Sequence, residues 1–466
     1  MHSTAPILSF KEKVAYGFGD LASVLYWQTF MLYFTYFYTD VFIIPASAAA
    51  TMFLVSRLFD GINDPIMGMI ADRTKTRWGK FRPYLLWLCV PFAVSGVLVF
   101  TTPDFGESGK IIWAYSTFIL IMMLYTAINI PYTSLLGVIS PNSQDRTSVS
   151  SVKFIFAFAA GIIVSATLLP LTKTLGGGND PKGWQLTFVL YGIAAVVFFL
   201  IAFKGTRERV IPPASHKPSV KSDIRALFTN KPWLILWATT ITFILFVAIR
   251  SSVTAHYFKY FIGEQALSLP FAGNHVYSFE TLVSVYNTIG QLASLLGVIL
   301  ILPISRIFGK KKTFIAFFMI AIVSTASMYF LTADHLGIIY FFQIIGSLTG
   351  GPLAVLLWAM YADTADYDEW KRGQRATGLI FSASTMSQKF GWAIGAYIAL
   401  TLMAGIGFEP NVDQSPDSLR GIVLLFSLIP AMIGIVSLLI YFVYPLSESK
   451  VEQMTAELEI RRKESE

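Results

Sequence analysis

Long apolar stretches recur twelve times along this chain of 466 residues, and this recurrence restricts the fold more than any other feature. An α-helix needs about 20 apolar residues to cross the hydrocarbon core of a bilayer. By that length, membrane spans are predicted at 14–40, 45–71, 81–101, 110–139, 148–173, 184–204, 233–262, 279–304, 312–331, 337–365, 376–404 and 419–446. Only 14% of the residues are charged, against about 25% in soluble domains. The sequence therefore predicts an all-α membrane protein.

The distribution of cationic residues predicts the orientation of the chain. Most of the 35 Lys and Arg residues fall in alternate connecting segments, and such segments lie in the cytoplasm. The opposite segments hold only Lys110, Lys173, Lys182, Lys259 and Arg420. Both termini are then cytoplasmic, which requires an even number of spans. We expect a multi-pass protein of the plasma (inner) membrane, in contact with lipid and not with nucleic acid.

A polar, proline-containing segment divides the spans into two sets of six. The predicted organisation is a six-helix bundle at 1–204, a cytoplasmic middle loop at 205–232, a second six-helix bundle at 233–446 and a cytoplasmic tail at 447–466. The part of the loop from Lys221 to Asn230 suits either an amphipathic surface helix or a plain linker. The single Cys89 excludes an intramolecular disulfide.

The two halves resemble each other at two places. A cationic, glycine-containing turn follows the second span of each half, and the Pro131 and Pro352 segments are each followed at the same distance by an Asp. Parallel halves of six spans are the architecture of the major facilitator superfamily, with a binding site at the midplane between them. Cationic turns also recur in unrelated membrane proteins, which is the alternative explanation. Candidate gating residues in these turns are Asp72, Arg73, Gly79, Lys80, Arg82, Arg306 and Gly309.

Ionisable residues within the second span indicate that the protein transports ions. Arg57, Asp60 and Asp64 are spaced to share one helical face, and Asn63 borders it. One Arg neutralises one Asp, so the second carboxylate needs another cation, either Na⁺ or a proton. A static ion-pair network that only packs helices is the alternative. Because a charge at a helix centre costs about 2.5–3.5 kcal/mol, these residues are candidates for function.

Other charges in the spans have several possible roles. Lys389 could pair with Asp60 or Asp64 across a central cavity, or could extend to the membrane surface. Lys153 could also reach the surface, whereas Asp20 could cap, pair or bind. For Arg250 the sequence gives no partner.

Aromatic and amide side chains in the spans suit sugar recognition, because sugars present apolar ring faces and hydroxyl groups. The candidate sugar-binding residues are Asp20, Trp27, Gln28, Tyr125, Asn129, Lys153, Thr385, Gln388, Lys389 and Trp392. No clustered His/Cys metal set, nucleophile motif or phosphate loop is found, so an enzyme is not predicted.

Several motifs together resemble the glycoside–pentoside–hexuronide:cation symporter family, which includes melibiose permease. The resemblance rests on Phe37–Asp40, Phe59–Gly68, Trp78–Pro83, Asn129–Tyr132, Ala362–Tyr367 with Glu369–Lys371, and Lys389. It implies a major facilitator fold and sugar uptake coupled to Na⁺, H⁺ or Li⁺. The family's cation site would fall on Asp60, Asn63, Asp64 and Thr126, a set of oxygens that favours Na⁺. The family's cavity lysine matches Lys389, and its cation on the fifth span falls on Lys153.

The sequence departs from melibiose permease within the sugar pocket. Val24 and Asn129 stand where that protein has Asp, and Thr133 and Ala354 stand where it has Trp. We therefore expect a sugar other than melibiose, carried by symport with a cation, without a cofactor and by a functional monomer. A carrier of lysolipids or other organic solutes and a non-transporting sugar sensor are the alternatives.

Overall fold

A computed structural model describes residues 8–140, 143–209, 228–269, 273–372 and 377–465. Within its helices some side chains are outside the described structure, among them those of Arg57, Asp60 and Asp72. Most of the predicted middle loop, at 210–227, is outside it as well, including most of the possible surface helix at Lys221–Asn230.

The described part of the first half contains six long α-helices. They are α1 Phe10–Tyr36, α2 Ala46–Arg73, α3 Arg82–Val99, α4 Glu107–Val138, α5 Ser143–Gly176 and α6 Asp180–Gly205. Their starts follow local chemistry. The side chain of Ser9 accepts the backbone N–H of Glu12 at the start of α1, and Asn179 caps α6 through Lys182. Pro83 lies in the first turn of α3, where a missing N–H costs nothing.

The second half contains nine α-helices in its described part, together with a β-hairpin. They are α7 Lys231–His256, α8 Phe279–Phe308, α9 Lys310–Ser327, α10 Leu336–Gly350, α11 Leu353–Arg372, α12 Thr377–Gly405, α13 Pro416–Phe426, α14 Leu428–Phe442 and α15 Glu448–Ser465. The hairpin joins α7 to α8 and pairs β1 Gln265–Leu269 with β2 Gly273–Tyr277 in antiparallel register.

The first helix of each half ends in the same irregular way. A π-helical turn, Phe37–Val41, follows α1, and a second one, Tyr257–Ile262, follows α7. Each turn is succeeded by a residue with positive φ, Ile43 at 57° and Gly263 at 67°. The internal resemblance of the halves therefore extends to backbone detail beyond the sequence motifs.

Two predicted spans are interrupted by proline. The span predicted at 337–365 is divided into α10 and α11 at Gly351–Pro352, and the span at 419–446 is divided at Ser427, three residues before Pro430. Proline lacks the N–H that a helix interior needs, and its ring clashes with the carbonyl group four residues earlier. Each break lies close to its proline, whereas Pro91, Pro131, Pro170 and Pro303 lie inside continuous helices.

The chain forms two compact units. The first comprises Met1–Ser215 with Glu280–Thr288 and Pro410–Val412, and the second holds the remaining residues. An aromatic cluster fills part of the first core, where the rings of Phe100 and Phe188 lie 3.6 Å apart and Trp184 stacks on Phe100. The second core includes the buried side chains of Trp233, Phe314 and Tyr361.

Nine helical segments in the described residues are long and apolar enough to cross a membrane. Helix α1, with 27 residues, is not among them, and α2 and α12 are described only in part, with α2 contributing the shorter apolar segment Ala46–Ser56. Most of the predicted cation- and sugar-binding residues lie on these three helices.

Candidate functional site

A buried ion pair joins α1 to α5 in the first unit. The Nζ atom of Lys153 lies 3.6 Å from Oδ1 of Asp20, and the two side chains are only 22% and 11% exposed. The ammonium group also lies 5.7 Å from the centre of the Tyr132 ring. Burying either charge alone would cost free energy, and in the pair each charge compensates the other. Of the roles considered for Asp20, the structure shows pairing, and its partner is Lys153.

Two buried tyrosines hold the helices around this pair. The hydroxyl of Tyr16 on α1 donates to the carbonyl oxygen of Tyr132 on α4, at 3.0 Å, and the hydroxyl of Tyr132 donates back to the carbonyl oxygen of Tyr16, at 2.8 Å. The rings stack with centres 4.6 Å apart. A Cβ atom on Gly19 would lie 2.4 Å from the Tyr132 ring, so this close approach requires glycine. The position of Asp20, the next residue, is fixed by these contacts.

Aromatic and amide groups of the predicted sugar site lie on the same two helices, α1 and α4. The ring of Trp27 stacks on that of Tyr125 with centres 5.3 Å apart, and both rings are partly exposed. Asn129 is half-buried, and its buried Nδ2 atom has no hydrogen-bond partner among the described residues. Gln28 follows Trp27 on α1 and is also partly exposed. An aromatic face and an unsatisfied amide donor are suited to a sugar ring and one of its hydroxyls.

Two residues of the predicted cation site are in contact. The hydroxyl of Thr126 on α4 donates to Oδ1 of Asp64 on α2 at 3.0 Å, and Thr126 is buried. Asn63 precedes Asp64 and is partly exposed. The side chains of Asp60 and Arg57 lie outside the described structure, so their predicted places in the site stay predictions. Among the described residues, no group of three or more His, Cys, Asp or Glu side chains forms a metal site.

Helix α12 in the second unit presents its predicted residues on one face. Thr385, Gln388, Lys389 and Trp392 follow the i, i+3, i+4, i+7 spacing of a single helical face. A different face packs on α7, where Ser384 accepts the indole N–H of Trp233 at 3.2 Å. Gly391 belongs to that packed face, since a Cβ atom there would lie 2.6 Å from Ile244. The face of α12 that carries Lys389 is therefore not the face that packs on α7.

The first cationic turn is closed by a carboxylate that sequence reasoning missed. Gly79 in this turn has φ of 109°, and Glu208 accepts the backbone N–H groups of Lys80, Phe81 and Arg82 at 2.9, 2.8 and 3.0 Å. The Arg82 guanidinium donates to the carbonyl oxygen of Phe203 near the end of α6, at 2.6 Å. Lys80 and Arg82, predicted as gating residues, therefore connect the start of α3 to the end of α6. Arg73 is exposed.

The second cationic turn has a corresponding arrangement. Gly309 has φ of 83°, and Glu448 accepts the backbone N–H of Lys310 at 3.1 Å. The side chain of Lys310 pairs with Asp363 at 2.5 Å, and Lys311 donates to the carbonyl oxygen of Tyr444. Arg306 is exposed. The signal that could have found Glu208 and Glu448 is their position, since each is a carboxylate shortly after the last span of its half.

Arg250 is held inside the second unit by neutral groups. Its guanidinium donates to Oε1 of Gln343 at 3.1 Å and to the hydroxyl of Thr325 at 3.3 Å, and it lies 5.1 Å from the centre of the Phe426 ring. These contacts connect α7 to α9, α10 and α13, and they supply the partners that the sequence alone could not give.

Comparison with known proteins places this arrangement in a family. The family model described as MFS/sugar transport protein matches residues 15–448. The chain belongs to this family. It is 35% identical to the uncharacterized symporter YnaJ of Bacillus subtilis, with 98% of this chain and 96% of the relative covered. It is 34% identical to the isoprimeverose transporter of Lactiplantibacillus pentosus, over 97% and 92%, and 32% identical to the putative glycoside/cation symporter YagG of Escherichia coli, over 97% and 95%.

Solved structures agree on the fold. A structure of a proton-dependent oligopeptide transporter superposes with a TM-score of 0.65 at 10% identity, covering 96% of this chain and 100% of that one. The nucleoside transporter NupG gives a TM-score of 0.61 at 11% identity, over 93% and 100%. The predicted major facilitator fold and the resemblance to the sugar–cation symporters are confirmed. The protein is a multi-pass membrane transporter, not an enzyme.

Proposed function

We propose that this protein imports a sugar or glycoside together with a cation, Na⁺ or H⁺, by alternating access. The proposal includes twelve spans in two six-helix bundles with both termini in the cytoplasm of the plasma (inner) membrane. It is carried by the partly buried contact of Thr126 with Asp64, because a carboxylate and a hydroxyl within a span are oxygen ligands for a small cation. Membership of the sugar-transport family and the similarity to a putative glycoside/cation symporter and to an isoprimeverose transporter support it.

The proposed cation site combines four oxygen-bearing side chains. Asp64 and Thr126 form its described half, and Asp60 and Asn63 complete it according to the sequence. A bound Na⁺ would neutralise the second carboxylate, and a proton would do so by converting it to a neutral acid. No further metal or cofactor takes part in the proposal. From the sequence, Arg57 and Lys389 are the cationic residues that would balance the carboxylates when the ion is absent.

The proposed sugar site lies beside the cation site along α4. Trp27 and Tyr125 would cover an apolar face of the sugar ring, while Asn129 and the Asp20–Lys153 pair would bond its hydroxyls. The sequence gives Thr385, Gln388, Lys389 and Trp392 of α12 as further candidate sugar-binding residues. Alternate exposure of this site to the two sides of the membrane would couple sugar to ion.

The driving force is sufficient for accumulation. One positive charge that crosses a potential of about 100 mV supplies about 2.3 kcal/mol. A tenfold ion gradient adds about 1.4 kcal/mol. Together these values sustain a sugar gradient of roughly a few hundredfold.

The test is solute counterflow in proteoliposomes with a panel of labelled glycosides, in Na⁺, Li⁺ or choline buffers at several pH values. We expect exchange of at least one glycoside and accumulation only with the coupling ion. Asp60→Cys and Asp64→Cys should each abolish accumulation. Accumulation at the wild-type level by either variant would refute the cation site, and ion uptake stimulated by lysolipids but by no sugar would favour the lipid-carrier alternative.

A further inference from the structure

The charge balance around Lys153 bears on the kind of sugar that the site accepts. Sugars reach membrane carriers either as neutral glycosides or as acids such as uronides, which carry a carboxylate. A buried cation left without a partner would attract an acid sugar strongly, since its charge is poorly screened there. In this chain Asp20 already lies 3.6 Å from the Lys153 ammonium group. The ion pair therefore has no net positive charge that would attract an anionic sugar.

The surrounding structure prevents Asp20 from withdrawing. Asp20 follows Gly19, whose backbone lies against the ring of Tyr132, and Tyr132 is bonded in both directions to Tyr16. The same ring lies beneath the Lys153 ammonium group. One aromatic residue therefore sets the positions of both members of the ion pair. The shared role of these two segments is to position the ion pair: one is the motif from Tyr16 to Gly19, and the other contains Pro131 and Tyr132.

The described aromatic and amide groups of the sugar site on α1 and α4 are neutral. Asn129 offers an amide donor without a partner among the described residues, and Trp27 and Tyr125 offer aromatic faces. These groups bind hydroxyls and sugar ring faces, and none of them compensates a carboxylate by charge. The described sugar-binding residues of the first unit thus match an uncharged ligand.

We propose that Asp20 is a specificity-determining residue, which neutralises Lys153 and so selects uncharged glycosides against acid sugars. This inference rests on the proposed sugar transport. Removal of the Asp20 charge therefore leaves Lys153 without its partner and shifts the relative affinity of the site toward acid sugars.

The test uses two matched pairs of probes that differ only in the group at C6. They are the p-nitrophenyl glucoside with the glucuronide, and the p-nitrophenyl galactoside with the galacturonide. Binding to the purified full-length protein is measured by titration calorimetry, and inhibition of counterflow is measured in proteoliposomes. For the wild type we expect at least one neutral member to bind about tenfold or more tightly than its acid counterpart. In Asp20→Asn, the ratio of acid to neutral affinity should rise about tenfold or more, because an uncompensated buried cation remains.

Control variants separate charge from structure. Asp40→Asn removes another buried carboxylate that follows α1, and it should leave the acid-to-neutral ratio unchanged. The double variant Asp20→Asn/Lys153→Gln has neither charge and should return to the neutral preference. If Asp20→Asn does not fold, Lys153→Gln leaves an unpaired carboxylate and should discriminate against acid sugars more strongly than the wild type.

The outcomes distinguish this inference from the proposed function. Equal wild-type binding of neutral and acid probes, or an unchanged ratio in Asp20→Asn, overturns the role of Asp20 while sugar transport stands. If the wild type neither binds nor exchanges any glycoside of the panel, the proposed function fails and the specificity proposal fails with it.

Discussion

Glu208 caps the helix that begins at Arg82. One oxygen of its carboxylate accepts the backbone N–H of Arg82 at 3.0 Å, and the two preceding N–H groups also donate to Glu208. The start of a helix carries partial positive charge and unsatisfied N–H groups, so a carboxylate there is stabilising. In return, the Arg82 side chain donates to a carbonyl oxygen near the end of α6, where the partial charge is negative. Each helix end thus receives the charge that complements it.

The first prediction concerns this cap. We expect Glu208→Ala to lower the free energy of unfolding by about 1–3 kcal/mol, because three N–H groups lose a charged acceptor. Glu208→Gln, which keeps one acceptor oxygen, should lose less. The measurement is thermal unfolding of the purified protein in detergent.

The second half provides the matched control. Glu448 accepts only one backbone N–H, that of Lys310, among the described residues. Glu448→Ala should therefore lower the melting temperature less than Glu208→Ala does. An equal or larger effect at Glu448 would contradict the account of Glu208 as a triple acceptor.

The second prediction concerns the cation. Thr126→Val keeps the shape of the side chain but removes the hydroxyl that donates to Asp64. We expect the cation concentration for half-maximal sugar uptake to rise about tenfold, since one oxygen ligand is lost. Thr126→Ser keeps the hydroxyl and should remain within about threefold of the wild type. The measurement is initial uptake in proteoliposomes against Na⁺ concentration and, separately, against pH. Equal cation dependence in Thr126→Val and Thr126→Ser would exclude the hydroxyl from the site.

The third prediction concerns the aromatic face. Trp27 stacks on Tyr125, and the two rings are partly exposed. Trp27→Leu should raise the KM for sugar about two- to tenfold, since aromatic stacking contributes about 0.5–1.5 kcal/mol beyond the area it buries. Trp27→Phe keeps an aromatic face and should show a smaller rise. A KM that does not change in Trp27→Leu would exclude this face from the sugar site.

The sequence predicted the helical spans well because hydrophobic length is a local property. The predicted span at 184–204 lies within α6, Asp180–Gly205, and the predicted span at 279–304 lies within α8, Phe279–Phe308. The residues of the proposed cation site were indicated in part by a similar local pattern. Asp64 and Asn63 are neighbours on one helix, and the family resemblance supplied Thr126 from another.

Tertiary partners could not be predicted from sequence patterns. Asp20 and Lys153 lie on different helices, and no periodicity indicates that α1 packs against α5 at that level. Arg250 has neutral partners on three other helices, which a search for a complementary charge cannot find. Strands β1 and β2 and the tail helix α15 were also missed, because none of them contains an apolar stretch long enough to span a membrane.

The fourth prediction concerns backbone strain at the end of the first π-helical turn. Ile43 has φ of 57°, a conformation that is costly for a β-branched residue, while the corresponding residue of the second half is Gly263, at 67°. Ile43 is 53% exposed, so its replacement removes little packing.

Ile43→Asn should raise the free energy of unfolding by about 1 kcal/mol, because Asn tolerates this conformation. Gly263→Ala should lower it by about 1–3 kcal/mol through the backbone alone, since φ of 67° with ψ of −156° is nearly restricted to glycine and a Cβ atom there meets only open space. Thermal unfolding in detergent measures both changes. A lower melting temperature in Ile43→Asn, or no change in Gly263→Ala, would show that the two halves do not share this conformational requirement.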